Sequence, residues 1–314
     1  MERSKHLAES EVYILDLNFL STPGTIASYL IPHHEGAILI ECGPGSTIPS
    51  LIEGLQKHGL EVTDISDVFL THIHLDHAGA AGWLARQGAR IHVHPVGAPH
   101  LLNPEKLLTS AARIYGNMMD QLWGEFLPVP VERLSVLQND EVVEINNISL
   151  QAIDTPGHAN HHFAYLLNGL CFSGDIGGVR LGGLPHIRLP MPPPEFHIEN
   201  WRQSLQKLRT FPIEQIAPTH FGIFDDPHWH FNAVGQTLDE IEEWMEQELR
   251  AESELEELTA KFIDWTRQRA LADGLNESEI YSYETANPTW MSTHGIQRYW
   301  KIFRHANKGD QITP

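Results

Sequence analysis

Four side chains able to bind divalent metals, His72, His74, Asp76 and His77, fall within the stretch VFLTHIHLDHAG at residues 68–79. Imidazole and carboxylate suit Zn2+ and other first-row divalent ions. The chain has 20 histidines, so one H-x-H pair such as His92 and His94 is unremarkable; H-x-H-x-D-H closing an apolar run is a concentrated donor set. Val68, Phe69 and Leu70 predict the end of a buried strand. A chain that stayed extended past Thr71 would project His72, His74 and Asp76 to one side. The Ala- and Gly-rich AGAAGWLARQG beyond predicts a turn into a helix, with His77 near its start.

Three later segments add donors of the same kind. IDTPGH ends a strand pattern with Pro-Gly, which can turn the backbone and aim His158 inward. CFSGD places Asp175 at the end of another apolar strand, and IAPTHFG does the same for His220. A lone His or Asp at a strand end is usually structural. Their recurrence after H-x-H-x-D-H turns three weak signals into one combined site.

THIHLDH, TPGH, SGD and THFG resemble, in order and spacing, the successive metal-binding motifs of the metallo-β-lactamase-fold hydrolase superfamily, over about residues 12–225. The resemblance implies an α/β fold, a four-layer αβ/βα sandwich with metals at one edge of two facing sheets. It implies that His72, His74 and His158 hold one metal, that Asp76, His77 and His220 hold a second, and that Asp175 bridges them. Two divalent ions per chain are thus expected, Zn2+ first, with Fe or Mn as alternatives. The pattern departs from the family in LIECG, where Glu41 stands at a position often filled by Asp. Glu41 either supports a metal-bound histidine or caps local backbone.

Such a ligand set implies metal-assisted hydrolysis, with Asp76 orienting the nucleophile or shuttling a proton. No Ser-His-Asp nucleophile is required. The expected substrate is a small ester, thioester or lactone. One rival is a persulfide-dioxygenase-like mononuclear iron oxidoreductase, which needs open coordination positions that a full second donor set argues against. The other is a non-catalytic binding protein on the same fold.

The elements that must position these residues are legible as patterns. EVYILDLNFL, TIASYLI and GAILIECG predict three early strands, and GPGSTIPSLIEGLQKHGL predicts a helix after a Gly-rich turn. No G-K-[S/T] follows those glycines, which excludes a phosphate-binding loop. ARIHVHP predicts a strand, residues 103–123 a helical stretch, and RLSVLQ, EVVEI, ISLQAID, FAYLLN and LCFSGD a second group of strands with Asn-Asp, Asn-Asn and Asn-Gly turns. Strand groups each followed by helices predict layers of both. The Gly- and Pro-rich residues 176–194 predict an irregular loop leaving Asp175, and its Arg180, His186 and Arg188 are expected to wall the substrate pocket and meet an anionic group. From about residue 232 the chain reads as acidic helices containing Trp244, Trp265, Trp290 and Trp300. Residues 1–231 are therefore expected to form the catalytic domain and 232–314 a helical extension packed on it.

The formal net charge of −20 offers no general attraction for nucleic acid or anionic membranes. Cys42 and Cys171, the two cysteines, each sit beside an apolar run and predict buried free thiols. No signal-peptide pattern and no membrane-spanning apolar run is legible, so the expectation is a cytoplasmic protein whose partner is a small-molecule substrate. The oligomeric state stays open, a homodimer included.

Overall fold

The computed structural model describes residues 11–249 and 254–305. Residues 1–10 of the expected catalytic domain, and 250–253 and 306–314 of the expected extension, lie outside them. Six strands form the first sheet in sequence order: β1 (Tyr13–Asp16), β2 (Ala27–His33), β3 (Gly36–Ile40), β4 (Ile65–Phe69), β5 (Arg90–Val93) and β6 (Leu134–Val136). β1 to β3 pair antiparallel and β3 to β6 parallel. The second sheet holds β7 (Val142–Ile145), β8 (Ile148–Asp154), β9 (Phe163–Leu167), β10 (Leu170–Phe172) and β11 (Gln215–Ala217), in spatial order β11-β10-β9-β8-β7. Its strands are antiparallel except for the parallel pair β10 and β11.

Strand alternation builds the layers. On β2 and β3, Ala27, Tyr29, Ile31, Ile38 and Ile40 face the second sheet, where they meet Leu150, Ala152, Phe163 and Tyr165. The opposite faces, with Leu30, Ala37 and Leu39, pack under α1 (Ile48–Lys57), α2 (Leu75–Ala78), α3 (Ala81–Gln87), α4 (Ala98–Leu102), α5 (Glu105–Tyr115) and α6 (Met119–Trp123). The outer face of the second sheet, with Ile153, Ala164, Cys171 and Ile216, lies under α7 (Ile198–Leu208), α8 (Pro227–Glu248), α9 (Leu255–Ala272) and α11 (Thr289–Tyr299). α10 (Glu277–Ala286) packs instead on Val179 and Leu181 of the loop after Asp175. This is the four-layer sandwich with a C-terminal helical region. The first helix of that region starts at Pro227, ahead of the expected boundary, and shares an apolar core with the second sheet.

Local chemistry sets the details. Asn146 and Asn147 both have positive φ (49° and 68°), which makes the tight β7–β8 turn. Asn168 and Gly169 do the same between β9 and β10. The helical stretch expected over 103–123 is broken at Gly116 (φ 55°) into α5 and α6. Cys42 and Cys171 are buried free thiols. No helix among the described residues is long and apolar enough to cross a membrane.

Candidate metal centre

The ends of β4, β8, β10 and β11 deliver the donors. The extended chain after β4 runs only to His74 (φ −62°, ψ 157°); α2 then begins, so Asp76 and His77 come from a helical turn and not from strand alternation. His158 follows β8, Asp175 lies in a tight turn after β10, and His220 follows β11. That turn requires Gly174: its φ is 50°, and a Cβ there would lie 2.6 Å from Thr71 Oγ1 and 2.7 Å from His162 Nε2.

The structure brings together every donor of the expected set. His74 Nδ1 lies 2.9 Å from both His72 Nε2 and His158 Nε2, which are themselves 3.2 Å apart. Asp76 Oδ2 lies 3.6 Å from His77 Nε2 and 3.5 Å from His220 Nε2. Asp175 stands between these two groups. Its Oδ2 is 3.3 Å from His158 Nε2 and 4.0 Å from His72 Nε2, while its Oδ1 is 3.4 Å from His77 Nε2 and 3.6 Å from His220 Nε2.

The outward-facing ring nitrogens are held by the protein. His158 Nδ1 is 2.9 Å from the Pro190 carbonyl, and His220 Nδ1 is 2.8 Å from the Thr25 carbonyl. Since a carbonyl only accepts, each Nδ1 carries the proton and each Nε2 offers its lone pair to the cluster. Glu41 resolves in the same way. It is buried, its Oε1 lies 3.3 Å from His77 Nδ1, and it accepts bonds from the backbone N–H and hydroxyl of Thr71 and from the hydroxyl of Thr219. Glu41 thus stands against His77 and also holds the backbone N–H of Thr71.

Burial lowers the basicity of His72, of His158, and of His74 to about 3, favouring the neutral imidazole that a metal binds. For His77, burial is outweighed by Asp76, Asp175 and Glu41, which push its pKa well above the usual value. Burial would raise the Asp76 carboxyl, yet His77 and His220 hold it well below the carboxylate range. The carboxylates therefore demand positive charge at this spot. His77 Nε2 and Asp175 Oδ1 are buried without a hydrogen-bond partner, a costly arrangement for a bare protein and a natural one for ligands of a cation. The donors of His72, His74 and His158 form one group with metal-ligand spacing, and those of Asp76, His77 and His220 another. The residues present fit bound metal.

Arg180, His186 and Arg188 are placed elsewhere. Arg180 pairs with Asp226 and lies over the rings of Phe224 and Trp229. His186 is 2.6 Å from Asp273, and Arg188 bonds Glu284 and Thr289. All three are buried, and none lines the cavity above the donors. They face the acidic C-terminal helices because the loop is sandwiched under those helices, with its Val179 and Leu181 in their core. The substrate-contacting role expected for them is corrected accordingly.

Two histidines beside the cluster went unread in the sequence. His162 stacks on His72 with ring centroids 5.2 Å apart and has its Nδ1 2.8 Å from Thr155 Oγ1. His161 lines the cavity and lies 3.4 Å from Glu195. Their density in HANHH, residues 158–162, is the signal that could have flagged them. The cavity itself, about 460 Å3, has His74, Asp76, His158, Asp175 and His220 among its lining residues.

Comparisons with known proteins show the family and the fold. A hydroxyacylglutathione hydrolase of Aeromonas hydrophila is 27% identical over 147 residues, 47% of this chain and 44% of the relative. An atrochrysone carboxyl ACP thioesterase of Aspergillus fumigatus is 26% identical over 165 residues, 52% of this chain and 40% of the relative. The chain thus spans about half the length of these curated relatives or less. The crystal structure of an archaeal metallo-beta-lactamase superfamily protein from Sulfolobus tokodaii superposes with a TM-score of 0.66 at 16% identity, covering 92% of this chain and 98% of the other. The family model of the metallo-beta-lactamase superfamily matches residues 21–220, which take in every donor of the cluster, and the chain belongs to that superfamily.

Proposed function

We propose that this protein is a dinuclear metal-dependent hydrolase of a small ester, thioester or lactone. The observation that carries the reading is Asp175, whose two oxygens face two separate donor groups as a bridging carboxylate would. Names of the relatives, a hydroxyacylglutathione hydrolase and an ACP thioesterase, support acyl-transfer chemistry to water. Two divalent ions held by these residues would supply Lewis acidity toward a substrate oxygen and toward water. Asp76 is half-buried and lines the cavity, so its carboxylate is placed to orient a water and take its proton. Glu41 and the Pro190 and Thr25 carbonyls keep the imidazoles in register throughout. Elemental analysis of metal-replete, active protein is expected to find two ions per chain. His72→Ala should lose at least one of them and abolish hydrolysis with little loss of fold, because the donors sit on loops at sheet ends. An active preparation free of transition metal, or one iron per chain with oxygen-dependent turnover, would overturn the proposal.

A further inference from the structure

His74, Asp76, His158, Asp175 and His220 make one polar end of the cavity, and most of the other lining residues are apolar, with His100, Lys106, Glu195, Glu284 and Asn287 among the exceptions. Leu107, Ile114 and Met118 line it from the α5–α6 side, Pro192 and Pro193 from the loop after Asp175, and Met291 from α11. Large apolar side chains on this lining also stand exposed: Leu20 at 42%, Val96 at 47%, Met118 at 43% and Tyr281 at 64%. A contiguous set of exposed apolar groups running into a cavity marks a surface meant to be covered by ligand. Arg180, His186 and Arg188 are spent on Asp226, Asp273 and Glu284 and do not line it. Lys106, an exposed residue, is the lysine or arginine among the lining residues.

We propose that the substrate is an ester or thioester of an extended apolar acyl chain, with the chain along these walls and its carbonyl at the polar end. This rests on the hydrolase reading above. The reaction breaks the acyl C–O or C–S bond, joins a water oxygen to the carbonyl carbon, and leaves the remaining proton on the departing alcohol or thiol. Each methylene moved from water to these walls should raise kcat/KM about three- to fourfold until the cavity is filled.

The test uses the Zn2+-replete protein and p-nitrophenyl acetate, butyrate and octanoate, each kept below its critical micelle concentration. A rise in kcat/KM from acetate to octanoate is expected. Ile114→Trp, which puts bulk on the wall and touches no donor, should cut the octanoate-to-acetate ratio about tenfold or more. Hydrolysis that is flat or falling with chain length overturns the acyl-chain inference and leaves the hydrolase reading standing. If neither these esters nor the matching acetyl and octanoyl thioesters and a lactone are cleaved, the hydrolase reading fails, and calorimetric titration with sodium octanoate and sodium acetate decides the cavity separately. Octanoate binding that exceeds acetate binding and is weakened by Ile114→Trp supports an acyl site; equal or absent binding overturns it.

Discussion

His158 and His220 share one construction: an Nδ1–H donated to a backbone carbonyl leaves an Nε2 lone pair aimed at the cluster. Backbone acceptors make that tautomer independent of any other side chain's protonation. His77 is oriented by the carboxylate of Glu41, whose own backbone sits in the left-handed region at φ 65°. Asp76 differs from these supports because it is half-buried and faces the cavity. Its carboxylate can accept a proton; an amide in its place keeps the shape and one oxygen donor but cannot. Asp76→Asn is therefore expected to lower kcat by about 100-fold or more while KM changes little. Near-native kcat in this variant would remove Asp76 from the proton path.

At the level of elements, the loop after Asp175 fastens the sheets to the C-terminal helices. Arg180 reaches Asp226 just ahead of α8, His186 reaches Asp273 beyond α9, and Arg188 reaches Glu284 of α10. His230 on α8 closes the same contact: its Nε2 lies 2.7 Å from the Gly177 carbonyl and so carries the proton, leaving Nδ1 to accept from Arg180 Nη1 at 3.3 Å. Only the neutral ring satisfies both partners. Burial, with Arg180 adding to it, lowers the His230 pKa to about 4. The unfolded chain therefore binds a proton that the fold refuses between the ordinary histidine value near 6.5 and about 4. Stability rises with pH wherever the unfolded state holds more protons, so the fold loses stability as pH falls through this window. Thermal midpoints of wild type and His230→Gln measured at pH 7 and pH 4.5 should show a smaller acid-induced drop in the variant. Equal drops would exclude His230 as a contributor to acid sensitivity.

Across the whole molecule, the ends of the two sheets meet at a cluster in which His77 Nε2 and Asp175 Oδ1 are buried without hydrogen-bond partners. A ligand that binds only the folded state stabilises it by mass action, by about 4 kcal/mol when present at a thousandfold excess over its Kd. Removing bound ions with a chelator is accordingly expected to lower Tm by roughly 5 °C or more in a fold of this size, with recovery on adding Zn2+. An unchanged Tm would mean that the donors hold no ion in solution. The family, the layered α/β class and the residues of the cluster were legible from the sequence, because donors at strand ends are local signals: THIHLDH, TPGH, SGD and THFG each sit directly after an apolar run. Along β8, Ser149 and Gln151 alternate with the buried Ile148, Leu150 and Ala152, whereas β2 and β3 are largely apolar runs buried on both faces and carry no such alternation. Other features needed the tertiary structure. The helix that turns Asp76 and His77 into place, the role of Glu41, and the stacking of His162 on His72 depend on segments far apart in the chain. The loop from 176 to 194 shows the limit most plainly. Its composition gave an irregular segment starting beside the metals, yet whether its cations faced the cavity or the helices depended on where Asp226, Asp273 and Glu284 came to lie. A buried guanidinium goes to the carboxylate that folding brings within reach, and sequence distance carries no record of that.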